Sequence, residues 1–408
     1  MAKRVEIQLP TNLRERLAQG HPWVYRNHVP IGVRLETGTW VRVRCGSWAG
    51  YGLWDAEGPI AIRIYSERQV PDTAWLRAQV RAAWDLREPV RATGTTAYRW
   101  LFGEGDGLPG LTVDRYGEYA VVAAYSAGAA TLLAPLAEAL AACDPALRGV
   151  VQRLRPDDDE EAELVAAPRR MTRDGRQRRI GRLWGQEPPN QLIANEHGLR
   201  FEVDLQAGQK TGLFLDQREN RRYLEQISAG RRVLNCFAYT GAFSMYALRG
   251  GASEAVSVDI GKGLAESAAN NLRLSGLDPR RHRFITADCF ELLNRYAEQG
   301  QQFDIVILDP PSFAKSKQNR YAALRAYTKL NALGLRCVAE GGILISSSCT
   351  SQVGPEAFRE LLGVAAAQAD RRLQILHEAG HASDHPVPAH FPEGRYLKFI
   401  AAHVREVP

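Results

Sequence analysis

At 408 residues the chain is long for one domain, and its 45% hydrophobic and 24% charged residues exclude a disordered or fibrous protein. The absence of any apolar run of 18 or more residues, and of an apolar segment near the start, leads us to expect a cytoplasmic protein with no membrane partner. The net charge of +6 is uneven, with ten Lys or Arg against six Asp or Glu in residues 1–68, which suits either phosphate contacts or a solvated surface.

Residues 1–70 read as a small β-rich domain. Trp40–Cys45 and Ala61–Tyr65 alternate between Gly-rich turns, and Trp23, Trp40, Trp48 and Trp54 serve either as the core of a small barrel or as stacking surface for RNA bases beside Arg26, Arg42, Arg44 and Arg63. Residues 71–189 read as a central α+β domain. It opens with an amphipathic helix from Pro71 to about Arg87, which Pro89 is expected to stop. A turn-rich block over Gly103–Tyr119 leads into a strand at Tyr119–Ala124, and Thr131–Ala142 forms a helix. An acidic run at Pro156–Glu161 and a basic run at Arg169–Arg179 read as an exposed hairpin or loop; a mobile solvated loop is favoured over one that touches RNA.

Residues 190–408 carry the chemistry. Leu199–Leu205 alternates and, with Leu213–Leu215, is expected to form a β-hairpin; Asp216 is placed to cap the helix that follows. Val233–Phe237 is a buried-strand run, Thr240 and Gly241 make a turn, and Ala242–Arg249 reads as a helix, so backbone N–H groups face a crevice above a parallel sheet. Asp259 ends the next strand, 18 residues after Gly241, near the ~20-residue spacing at which an acid meets a ribose hydroxyl pair. No GxGxxG is present, which disfavours a dinucleotide. S-adenosylmethionine has no pyrophosphate and tolerates the bulkier turn; a purely structural turn is the other reading.

Further strand ends follow. Asp288 is placed to accept from an adenine amino group, with Cys289 beside it. Asp309-Pro310-Pro311 makes a rigid extended loop after a strand, and Cys349 lies at the carboxyl end of another. Right-handed crossovers keep these strands parallel, so their ends face one crevice. This Rossmann-like α/β reading assigns Phe237, Tyr239, Thr240, Gly241, Asp259, Ile260, Asp288, Cys289 and Asp309 to the cofactor. Six cysteines without close pairs read as free thiols. His377, His381, His385 and His390 invite a metal reading; His377 and His381 could share a helix face, but Gly380 and the Ser383-Asp-His-Pro turn interrupt the helix, and no carboxylate or cysteine cluster accompanies them.

The blocks Gly208-Gln-Lys-Thr-Gly-Leu-Phe-Leu-Asp-Gln-Arg218, Asn235-Cys-Phe-Ala-Tyr-Thr-Gly241, Asp309-Pro-Pro-Ser312 and Ser347-Ser-Cys349-Thr resemble the bacterial class I SAM-dependent large-subunit rRNA methyltransferases with an N-terminal PUA domain. The resemblance extends over nearly the whole chain, through Gly20–Tyr25, Gly103–Gly117, Asp384–Val387 and Pro392–Lys398. It implies a PUA-like unit, a central unit and a methyltransferase domain, with S-adenosyl-L-methionine as cofactor and 23S rRNA, free or in an assembling large subunit, as partner. It also implies that Asp216, Gln217 and Arg218 close one side of the cofactor site, with Lys210 and Thr211 nearby, and it leaves a homodimer open.

Cytosine C5 is a poor nucleophile, and addition of a thiolate at C6 makes it an enamine that can take a methyl group. Cys349 is the candidate nucleophile and Asp309 the acidic group that serves the base; the other use of Cys349 is an inert strand-end thiol. Other cytosine-C5 RNA methyltransferases carry cysteine after Asp-Pro-Pro, where Ser312 stands here. Two rivals remain: guanine-N7 methylation, which needs no cysteine, and a non-catalytic RNA-binding assembly factor on the same fold.

Overall fold

The computed structural model describes residues 5–154, 180–205, 212–314 and 319–407. Lys210, Thr211 and the charged runs 156–161 and 169–179 lie outside them. The chain forms two compact units, the first from residues 1–195, 203–215 and 383–394, the second from residues 196–202, 216–382 and 395–408.

The first unit holds two five-stranded sheets. One comprises β1 (Val5–Gln8), β2 (Trp23–Tyr25), β3 (Trp40–Cys45), β4 (Trp48–Trp54) and β5 (Ile60–Ser66), in the order β1-β3-β4-β5-β2. Alternation buries Val41, Val43 and Cys45 on one face of β3, as the pleat dictates. Trp48 and Trp54 belong to this core, while Trp23 and Trp40 are half-exposed, so the four tryptophans divide between packing and surface.

The second sheet runs β10-β9-β8-β7-β6, from β6 (Ala97–Phe102), β7 (Leu111–Tyr116), β8 (Tyr119–Ala124), β9 (Gly149–Arg153) and β10 (Ile180–Gly185). Helices α1 (Thr73–Leu86) and α2 (Leu133–Cys143) pack with it around Trp100, Leu101, Val113 and Leu140. Asp72 caps α1 by accepting from Trp75 N. Two expectations change here. Pro89 does not merely end a helix; it sits in the first turn of a short one, Glu88–Arg91, where its missing N–H costs nothing. The block Gly103–Tyr119 contains β7, whose Asp114 and Arg115 are buried in ion pairs with Arg99 and Asp144.

A hairpin of β11 (Leu192–Glu196) and β12 (Leu199–Val203) precedes the cofactor strand. The expected partner of Leu199–Leu205 was Leu213–Leu215, but the alternating strand turns back through His197-Gly198 onto β11, and residues 213–214 form no strand.

The second unit is built on one seven-stranded sheet, β15-β14-β13-β16-β17-β19-β18. Its strands are β13 (Arg232–Cys236), β14 (Glu254–Asp259), β15 (His282–Thr286), β16 (Phe303–Leu308), β17 (Val338–Ser348), β18 (Arg371–Ala379) and β19 (Lys398–Glu406). Strands β13 to β17 are parallel, and β19 runs antiparallel to β17 and β18. The helices that connect these strands are α4 (Ala242–Arg249), α5 (Leu264–Leu274), α6 (Cys289–Glu298), α7 (Arg320–Arg336) and α8 (Pro355–Gln368), and α3 (Arg218–Gln226) leads into β13. The Val/Ile/Leu runs of β13, β14 and β16 are buried on both faces, as parallel strands covered by helices require. His377 lies on β18, not on a helix, stacked on Tyr223 at 4.1 Å, so the helical pairing with His381 does not exist.

Candidate active site

The sheet order reverses beside β13: the chain goes on from β13 to β14 on one side, and β16 flanks it on the other, with Cys236 opposite Leu308 in register. Such a switch point opens a crevice beyond the carboxyl ends of the strands. The turn after β13 and Asp309 after β16 are therefore neighbours by register.

The turn is strained. Phe237 and Tyr239 adopt φ of 60° and 48°, rare for bulky L-residues, and Gly241 follows at 81°. Three hydrogen bonds hold this conformation: Phe237 N donates to Cys289 Sγ (3.3 Å), Ala238 N to Val258 O (2.9 Å) and Tyr239 N to Asp259 Oδ2 (2.9 Å). At Gly241 a Cβ would lie 3.3 Å from Ala268 Cβ, so glycine answers both the left-handed backbone and the close approach of α5. Thr240 is buried, and its carbonyl accepts from Asn271 Nδ2.

Asp259 Oδ1 also accepts from Gly261 N (2.9 Å). An ionised carboxylate has about four acceptor sites, so the two N–H bonds fix its orientation and leave capacity for a ligand's hydroxyl pair. Ile260 beside it is 69% exposed, an apolar surface next to an acid. That pairing fits a nucleoside, whose ribose needs acceptors and whose base needs a flat apolar contact. Asp288 caps α6, its Oδ1 accepting from Glu291 N (3.0 Å), which leaves acceptor capacity for the expected adenine contact. Cys289 is buried with its thiol turned to the Phe237 and Val258 backbone.

The residues before α3 divide in their contacts. Gln217 Nε2 donates to Asp309 Oδ1 (3.0 Å), and Asn220 Nδ2 donates to Gln217 Oε1 (2.6 Å) and to Gly380 O. Asp216 was expected to cap this helix. Instead Gln217 occupies the N-cap without a side-chain cap, and the Asp216 carboxylate accepts from Tyr396 Oη (2.6 Å). Arg218 is buried and pairs through Nε with Glu219. Asn220 and Tyr396 carry no sequence signal of these contacts, which arise only when distant segments meet.

The Asp309 loop is joined to the Cys349 loop. The carbonyl of Ala314 accepts from both Ser312 Oγ (2.9 Å) and Thr350 Oγ1 (3.1 Å). Cys349 is half-exposed, and the other five cysteines are buried. Burial raises the Cys337 thiol to about 12, and the hydrogen bond of the Cys236 thiol with Cys289, together with burial, raises Cys236 well above the usual thiol range, so neither offers a thiolate at neutral pH.

A family profile for S-adenosylmethionine-dependent methyltransferases matches residues 171–379, and one for PUA-like domains matches residues 7–67. The ribosomal RNA large subunit methyltransferase I of Photobacterium profundum is 36% identical over 98% of this chain and 99% of its own length; that of Aeromonas salmonicida is 34% identical over 98% and 100%. The chain belongs to the ribosomal RNA large subunit methyltransferase I family. It is an S-adenosylmethionine-dependent methyltransferase with a PUA-like domain near its N-terminus, and the α/β class expected from sequence holds. The fold agrees with that of SMU.776, described as a methyltransferase and solved with S-adenosylhomocysteine (TM-score 0.84, 24% identity, 98% of this chain and 100% of that one). Among the described residues no helix is long and apolar enough to cross a membrane.

Proposed function

We propose that the protein forms 5-methylcytosine in large-subunit ribosomal RNA, with Cys349 as nucleophile. The observation that carries this reading is the half-exposed thiol at the carboxyl end of β17, tied through Ala314 to the loop of Asp309. The relatives' name, which specifies large-subunit ribosomal RNA, and the PUA-like match support the substrate. Residues 1–70 are assigned to RNA binding, residues 71–189 to a central domain and residues 190–408 to catalysis.

S-adenosylmethionine supplies the methyl group. Phe237, Tyr239, Thr240, Gly241, Ile260, Asp288 and Cys289 border its site, Asp259 receives its ribose, and Asp216, Gln217 and Arg218 support one side. The Cys349 thiolate adds to C6 of a cytosine taken out of its stack, which makes C5 nucleophilic. After methylation Asp309, oriented by Gln217, takes the C5 proton; the C6–S bond then breaks and the thiolate returns. The Ser312 hydroxyl is engaged within its own loop, so the position where related enzymes carry a second cysteine serves here to shape the loop.

The deciding experiment incubates the protein with unmethylated bacterial rRNA and S-adenosylmethionine and identifies the product nucleoside by mass spectrometry. 5-Methylcytidine is expected. 7-Methylguanosine would overturn the cytosine reading while keeping the fold and cofactor site, and no methylated nucleoside would favour an assembly factor. At the cofactor end, Asp259→Ala is expected to raise the S-adenosylmethionine Kd roughly 10–100-fold, the loss of charge-assisted hydrogen bonds of about 1.5–3 kcal/mol. Calorimetric titration checks it; a Kd within about twofold of wild type, less than 0.5 kcal/mol, would remove Asp259 from the site.

A further inference from the structure

Lys398 opens β19, and its backbone pairs with Ser348, the residue before Cys349. Its Nζ donates to the carbonyl of Thr350, the residue after Cys349, and to that of Tyr396 (2.9 Å). The side chain thus spans the Cys349 position. Lys398 is only 5% exposed, and among the described residues no carboxylate forms an ion pair with it. A buried ammonium with only carbonyl acceptors is costly to keep charged, and a nearby anion relieves that cost.

We propose that Lys398 is a positioning residue for Cys349: its ammonium favours the thiolate and holds it at the strand end. This rests on the reading of Cys349 as the nucleophile. The thiol proton passes to solvent and Lys398 stays protonated, so the pair is an ammonium and a thiolate. Burial brings Lys398 down to about 8, with Cys349 acting in the opposite sense, which is the mutual coupling such a pair shows. Among the described residues, Tyr327 on α7 and Asp309 after β16 also act at this point. Burial raises the Tyr327 phenol to about 12, so it is neutral in the working range. Asp309 opposes a second negative charge, and a cation beside the thiol acts in the other direction. The Ser348 hydroxyl acts on Tyr327 from the same strand end.

The test is the pH dependence of Cys349 alkylation by iodoacetamide, read peptide by peptide by mass spectrometry in the full-length protein. Wild type is expected to show a midpoint below the ordinary thiol value of about 8.5. Lys398→Met is expected to raise it by about one pH unit or more, while Lys398→Arg keeps it low. A purely structural role would leave the midpoint unmoved. The proposal is overturned if the wild-type midpoint is ordinary or higher, which needs no variant, or if Lys398→Met binds S-adenosylmethionine normally with an unchanged midpoint. The readout is independent of turnover. Normal methylation by Cys349→Ala would sink the nucleophile reading. An ordinary midpoint alongside an inactive Cys349→Ala would sink only the role of Lys398.

Discussion

Cys349→Ala is expected to lower methyl transfer to rRNA by at least about a thousandfold while S-adenosylmethionine binding stays near the wild-type value. The size follows from the chemistry. Without a thiolate at C6 the C5 carbon lacks the electron density to attack a methyl group, and no neighbouring residue supplies a substitute, because the other cysteines are buried. Cofactor binding survives because the turn after β13 and Asp259 are held by Cys289, Val258 and Gly261. Rates from tritiated methyl transfer and Kd values from calorimetry separate the two quantities. A complementary result is expected with rRNA carrying 5-fluorocytidine. Once methylated, the base has no C5 proton to lose, so the C6–S bond persists and the protein stays attached to the RNA through Cys349. Turnover by Cys349→Ala at the wild-type rate, or attachment through another residue, would overturn the assignment.

The strands of the catalytic sheet were legible because burial on both faces writes a continuous apolar run, as in Val233–Phe237 and Gln302–Leu308. Strand β18 was not legible. It is a polar edge strand with Ile375 and Leu376 exposed, so it shows neither a run nor an alternation. Strand β7 was hidden for a different reason: its Asp114 and Arg115 look like turn residues until ion pairs across the fold neutralise them. Asp259, Asp309 and Cys349 stand out in the sequence because each sits where a strand ends, and Gly241 because it opens the helix after β13. The Asp216 cap was misread because the sequence cannot show that Tyr396, 180 residues on, takes that carboxylate. Lys398 opens a strand like any other first residue in the sequence, and only the register with Ser348 brings it to Cys349.

The same helix that orients Asp309 is anchored by a buried ion pair, and this gives the largest stability effect we expect. Arg221 on α3 donates through Nε and Nη2 to the two oxygens of Glu196 at 2.8 and 2.7 Å, and Tyr246 Oη donates to Glu196 Oε1 at 2.9 Å. Both side chains are nearly inaccessible, at 2% and 0%. A guanidinium cannot shed its proton in this setting, so Glu196→Ala takes the bidentate carboxylate from a buried cation and removes one hydrogen bond of the Tyr246 phenol. The expected cost is about 3–5 kcal/mol, read as a lowered denaturation midpoint. Replacing both partners with apolar residues, Glu196→Met with Arg221→Met, is expected to recover much of that loss, because the penalty comes from the stranded charge more than from the lost bonds. Activity should separate from stability in the double variant. Without Arg221 the start of α3 loses its anchor, and the Asn220–Gln217–Asp309 chain of hydrogen bonds loosens, lowering kcat while cofactor affinity, set by β13 and β14, is kept. If Glu196→Ala lies within about 1 kcal/mol of wild type, the pair is not holding the helix. If the double variant is as active as wild type, the orientation of Asp309 does not run through α3.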